Sequence, residues 1–268
     1  MRHADRGSRS IGKEKPMHRL YQKNELHFAL IWVAIYCAAM TPLRGQFGDE
    51  SIVTVLALVV MAALLRLWIG RHGLTEKYGL GGFPRDGKRY LYFIPIGILA
   101  TGNLWGGFAL SGHGLAQVWA TLSMILFAYL EELIFRGLLL EAMLPRSGVR
   151  KSIIVVAVTF GIGHILNLFT GQAGMETVVQ ILFAVAWGFL FTLIFYKSGS
   201  LWPSILAHAL INASSRYAVE EPTAHRFFII ATILTAVVYG SYLWKLEDKK
   251  SAAGEIDSAK VRRSDDRF

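Results

Sequence analysis

The chain has 268 residues, is 53% hydrophobic and has a mean hydropathy of +0.41. A soluble domain of this length buries a good core without such a composition, and the apolar residues are gathered into long runs, so bilayer lipid is the expected solvent. The net charge of +9 does not point to nucleic acid, because Lys and Arg sit in tails and connections between apolar runs, as membrane topology places them. The single cysteine, Cys37, excludes an internal disulfide and reads as a small apolar residue in its run.

Residues 1–24 form a basic stretch with seven Lys/Arg and no sustained apolar run. They lack the pattern of a cleavable signal peptide, so the first span is expected to act as an uncleaved anchor. Apolar segments near 26–43, 51–69, 90–110, 117–144, 152–170, 177–196, 201–218 and 227–244 follow. They predict an all-α polytopic membrane protein with about eight transmembrane helices. The seventh is the weakest, broken by Pro203 and polar at His208, Asn212, Ser214 and Ser215. The Gly-rich 79–87 stretch reads as a loop, and residues 247–268 as a charged, solvated tail. The organisation expected is a tail over 1–24, three helices over 25–116, a polar-bearing core over 117–215, a last helix over 216–246 and the tail.

Eight crossings put both tails on one side, together with the 66–89 and 146–151 connections and Lys197. That side then holds 24 of the 28 Lys/Arg, and the other holds Arg44, Arg216 and Arg226. Such asymmetry predicts cytoplasmic tails in a multi-pass protein of the bacterial inner membrane.

Three charged residues interrupt the fourth span: Glu131, Glu132 and Arg136. Ionised groups at membrane depth cost roughly 2.5–3.5 kcal/mol each on insertion scales, so three of them mark a functional site. Glu132 and Arg136 are spaced i,i+4 and share a helix face, which predicts an ion pair. Glu131 points about 100° away from its neighbour, so the two carboxylates are not expected to reach one spot easily. His164 follows a turn near Gly148; Glu131 lies 17 residues before that glycine and His164 lies 16 after it, at nearly matched depth on antiparallel helices. Gly161 and Gly163 beside it would admit a neighbouring helix closely. His208 and Asn212, again i,i+4, share a face of the seventh segment.

A carboxylate beside an imidazole can activate water as a general base, while a second imidazole and an amide can stabilise an oxyanion. Glu131, His164 and His208 would equally suit a Zn²⁺ with water in the fourth position. No His-Glu-x-x-His and no Gly-x-Ser-x-Gly motif occurs.

Glu-Glu-x-x-x-Arg at 131–136, Phe-x-x-x-His at 160–164 and His-x-x-x-Asn at 208–212, in this order, resemble the CAAX-protease and bacteriocin-processing family, CPBP, also called ABI. The resemblance covers roughly residues 117–215. It implies a CAAX-protease-like bundle of eight helices that cleaves peptide or membrane-anchored protein substrates. It implies Glu131 as the base activating water with His164 as its partner, His208 and Asn212 as oxyanion donors, and Glu132 and Arg136 as supporting residues. No cofactor is required on that reading, although an older view of the family makes the glutamate and histidines metal ligands. The cavity is expected to open to the cytoplasm and to admit water.

Two other classes fit parts of the pattern. A non-enzymatic membrane scaffold or bacteriocin self-immunity factor would use the polar cluster to bind a partner, and a transporter would use it as a proton pathway, though no paired repeats support that. Asn103, Asn167 and Gln180 read as packing or lining residues, Phe160 as a pocket wall, and His113 and His225 as solvated. Trp68, Trp105, Trp119, Trp202 and Trp244 read as interface anchors, and Arg66 and Lys197 as snorkelling cations.

Overall fold

A computed structural model describes residues 16–84, 93–110 and 114–245. The tail at 247–268, His113 and part of the 79–87 loop lie outside the described residues. Among those described, regular structure is helical: α1 (Pro16–Lys23), α2 (Glu25–Phe47), α3 (Ile52–Arg71), α4 (Ile94–Leu99), α5 (Gly114–Glu132), α6 (Glu141–Gly163), α7 (Gly174–Ser198), α8 (Trp202–Ser214) and α9 (Pro222–Lys245). Leu133–Leu140, between α5 and α6, is a π-helix, and His164–Thr170 extends α6 as a 3₁₀ turn. Residues 16–23 belong to a helix rather than a featureless basic tail, with His18 stacked on His72 at 4.2 Å between ring centroids.

Five helical runs are long and apolar enough to cross a membrane: Glu25–Phe47, Ile52–Arg71, Gly114–Thr170, Gly174–Ser198 and Pro222–Lys245. The third, 57 residues long, is not straight. At Gly148 the backbone takes φ 71° and ψ 167°, a conformation open to glycine, and the chain doubles back. Phe135 and Phe160, one on each limb, meet edge to face at 5.2 Å, which fixes the two limbs as antiparallel neighbours.

Two of the eight anticipated segments are not spanning helices. The described part of the 90–110 run, residues 93–110, holds the six-residue α4 and a short 3₁₀ turn, because Pro95, Gly97, Gly102, Gly106 and Gly107 deny it a continuous helix. The 201–218 run holds the 13-residue α8, about 20 Å at 1.5 Å per residue against a hydrocarbon core of about 30 Å. The two meet nonetheless: Asn103 Nδ2 donates to Ile211 O and Phe108 pairs with Ala218, while Leu201 N–H, just before α8, donates to Gly79 O.

The π-helix is the bundle's axis: all eight of its residues are buried, enclosed by α2, α6 and α7. The doubled-back limb of α6 packs on α7 through glycines. A Cβ on Gly161 would stand 2.9 Å from Val185 N, and one on Gly188 would stand 3.1 Å from Ala157 O. Gly161 therefore performs the close approach expected of it, whereas a Cβ on Gly163 would meet nothing within 4 Å. Outward faces of α3 and α9 expose Leu56, Val60, Leu64, Leu67, Leu234 and Val238, the apolar surface that lipid requires.

Long-range bonds define two ends. Asn24, which caps α2, also accepts from Arg146, and Glu25 pairs with Lys77 at 2.6 Å. Gly79 and Leu201 join them at this end, where most cations lie. At the other end Arg44 donates to Asn167, Arg216 faces Glu50 at 3.6 Å, and Gln117 donates to Arg216 O. There Glu221 accepts the N–H groups of Thr223 and Ala224, which caps α9 and holds its carboxyl below the ordinary range.

Candidate active site

The last residues of α5, the π-helix and the C-terminal half of α8 bring the charged cluster together. Arg136 Nη1 donates to Glu132 Oε1 at 3.0 Å, and both side chains are fully buried. The guanidinium also donates to Gly188 O at 3.3 Å and lies over the Phe160 ring, 4.2 Å from its centroid. The expected ion pair thus forms, anchored to α7 and α6 as well as within its own helix. In so dry a place the pair stabilises the ionised forms mutually, and loss of one partner would strand the other.

The two carboxylates do reach one group, contrary to the divergence expected of adjacent helical positions. His208 Nδ1 donates to Glu132 Oε1 at 2.9 Å, and His208 Nε2 stands 3.6 Å from Glu131 Oε2. An imidazole presents its nitrogens in different directions, so side chains about 100° apart can straddle one ring. The ring is clamped further by stacking on Phe191 at 5.2 Å and by the edge of Phe160 at 5.8 Å.

Glu131 also accepts from Tyr36 Oη of α2 at 2.5 Å. This tyrosine escaped the sequence reading. It lies 95 residues from its partner, outside the motif-bearing region, and an aromatic in a span carries no signal of its own.

His164 begins the 3₁₀ extension of α6. Its Nδ1 donates to Phe160 O at 3.1 Å, since a carbonyl can only accept; Nε2 of the neutral ring is then the unprotonated nitrogen. Phe160 stands between the imidazoles, with its ring 5.2 Å from that of His164. Glu131, His164, Phe160 and Asn212 line one cavity of about 280 Å³, joined by Tyr36 and Cys37. His208, Glu132 and Arg136 are buried behind this wall. Cys37 is therefore a wall residue of the cavity rather than a lipid-facing one.

Asn103, Asn167 and Gln180 line the same cavity, as does Arg44 near the C-terminal end of α2. Arg44 grips Asp49 through Nε at 2.7 Å and Nη2 at 3.1 Å, while Nη1 reaches Asn167, whose amide donates to Gln180. Its partners come from distant parts of the chain, which no spacing rule reveals.

As metal ligands the three candidates are poorly disposed. No group of three His, Cys, Asp or Glu among the described residues could hold an ion. The residues do not fit a zinc centre as they stand.

Residues 113–214 match the family model described as type II CAAX prenyl endopeptidase Rce1-like. No curated protein and no solved structure matches the chain.

Proposed function

We infer that this chain, which matches the Rce1-like endopeptidase family model over residues 113–214, hydrolyses peptide bonds inside the bilayer with water activated by Glu131. One observation carries the assignment. Of the adjacent glutamates, Glu132 is fully buried and paired with Arg136 and His208, while Glu131 reaches the cavity where water and substrate can meet.

Each residue then has a task. Glu131 takes a proton from water, which attacks the carbonyl carbon of the scissile bond. Tyr36 Oη donates to Oε1 and fixes the carboxylate, leaving Oε2 for the water. His164, with Nδ1 tied to Phe160 O, offers Nε2 as a second basic site that orients the water. Asn212, one helical turn beyond His208, offers its amide N–H to the developing oxyanion. His208 acts through Nε2: when protonated there, the ring is a cation held between two carboxylates and supports negative charge in the transition state. The proton accepted by Glu131 passes to the departing amine, which balances the hydrolysis. No step runs through a metal. Glu132 and Arg136 position His208.

The experiment is a comparison of membrane proteomes from cells producing the wild-type chain or Glu131→Gln at equal levels. New protein N-termini should appear with the wild type and vanish with the variant. Identical sets of N-termini would refute hydrolysis by this residue and favour a scaffold that uses the cluster for binding.

A further inference from the structure

The geometry points to substrate entry from the membrane face opposite the basic tails, so that the peptidase takes polypeptide segments exposed on the non-cytoplasmic side. This rests on the endopeptidase reading for the word substrate, but the direction of access stands on its own observations.

The cavity is one-sided. Along α2 its lining residues are Tyr36, Cys37, Met40, Thr41 and Arg44, a stripe that runs about 12 Å from the carboxylate towards the helix's C-terminal end. Met124 and Phe127 continue it towards the start of α5, Asn167 and Thr170 follow His164 outwards, and Ser215 lies beyond the end of α8. All of these steps lead to the end where Arg216 meets Glu50. Exposure increases the same way: Tyr36 is buried, the Arg44 side chain is 29% accessible, and Ser215 is exposed. In the other direction the cavity stops at Phe135 and Phe160, both buried, with Arg136 and Glu132 sealed behind them.

Charge then orients the molecule. The closed end carries Arg19, Lys23, Arg71, Lys77, Arg146, Arg150, Lys151, Lys197 and Lys245. The open end has Arg44, Arg216 and Arg226 against Asp49, Glu50, Glu176, Glu220 and Glu221. An end rich in Lys and Arg stays in the cytoplasm, so the open end faces away from it. On this proposal the opening is the reverse of the cytoplasmic one expected from the sequence. A protein tethered to the cytoplasmic leaflet would meet a closed, cationic end. The cavity on this side is lined by the uncharged polar residues Asn167, Thr170, Gln180 and Ser215.

Cys37, the sole cysteine, is a built-in probe of this cavity. In a Gram-negative host, a membrane-impermeant maleimide is applied to spheroplasts and to inside-out vesicles containing the full chain. Two reference variants in a Cys37→Ala background mark the ends: Thr223→Cys at the open end and Arg150→Cys in the Gly148 turn. Cys37 and Thr223→Cys should be labelled in spheroplasts, and Arg150→Cys only in inside-out vesicles. Failure of the reagent to label Cys37 in spheroplasts overturns the proposal, whichever other preparation it labels. Glu131→Gln should still be labelled at Cys37 in spheroplasts, because labelling does not need hydrolysis; the peptidase reading could therefore fail while this result holds. The N-termini lost in Glu131→Gln cells should map to exported segments, and cytoplasmic cut sites would contradict the substrate class.

Discussion

Glu132 and His208 meet in the dry centre of the bundle, with Oε1 of the carboxylate 2.9 Å from Nδ1 of the ring. The bond decides which face of the imidazole is spent on structure and which is left for chemistry. Because Nδ1 is bound there, Nε2 turns to Glu131. The same oxygen of Glu132 also accepts from Arg136, so one buried acceptor holds two donors from different helices.

That arrangement makes Arg136 a stability determinant. Arg136→Ala leaves a buried carboxylate with its main counter-charge removed and should cost about 3–5 kcal/mol, the usual penalty for breaking a buried pair. The double variant Glu132→Gln/Arg136→Met, which removes both charges, should recover much of that loss. Thermal unfolding in detergent measures both; equal destabilisation in the two would show that charge pairing is not what holds this centre.

Tyr36→Phe removes one hydroxyl and almost no volume. A hydrogen bond to an ionised acceptor contributes about 1.5–3 kcal/mol to stability, so a lowered unfolding temperature is expected, together with a reduced kcat because Glu131 loses the bond that fixes its carboxylate. Wild-type turnover in Tyr36→Phe would remove the tyrosine from the site.

The glycine seam gives a steric prediction. Gly161→Val places branched carbons against Val185 N and Ile181 O, which are backbone and cannot swing aside. Overpacking should destabilise the protein by about 1–3 kcal/mol, whereas Gly163→Ala, with open space at that position, should unfold like the wild type. Matched unfolding of the two variants would contradict the packing of α6 on α7.

Exhaustive chelation should leave hydrolysis at its full rate, since no three His, Cys, Asp or Glu among the described residues are grouped to hold an ion. Activity lost on chelation and restored by one specific ion would contradict this reading of the site.

What the sequence discloses and what it hides divide along physical lines. The Glu132–Arg136 pair and the reversal at Gly148 are local: helical spacing fixes one and a glycine dihedral the other. The relation of Glu131 to Tyr36 and of Arg44 to Asn167 spans 95 and 123 residues, and no periodicity encodes it. The convergence of both glutamates on His208 depends on the shape of an imidazole rather than on helix geometry alone. The π-helix leaves no mark in an apolar run such as 133–140, although such widened turns often occur at functional sites. The 90–110 stretch is apolar enough to pass for a span by composition, yet its proline and glycines decide its conformation.

The central claim is that Glu131 activates the attacking water. It is tested most directly by the rate at which purified protein in detergent cleaves a substrate identified from the membrane proteome. Glu131→Gln should unfold at the wild-type temperature and show hydrolysis reduced by at least about a hundredfold, as removal of a general base requires. Cleavage by that variant at the wild-type rate would contradict the account.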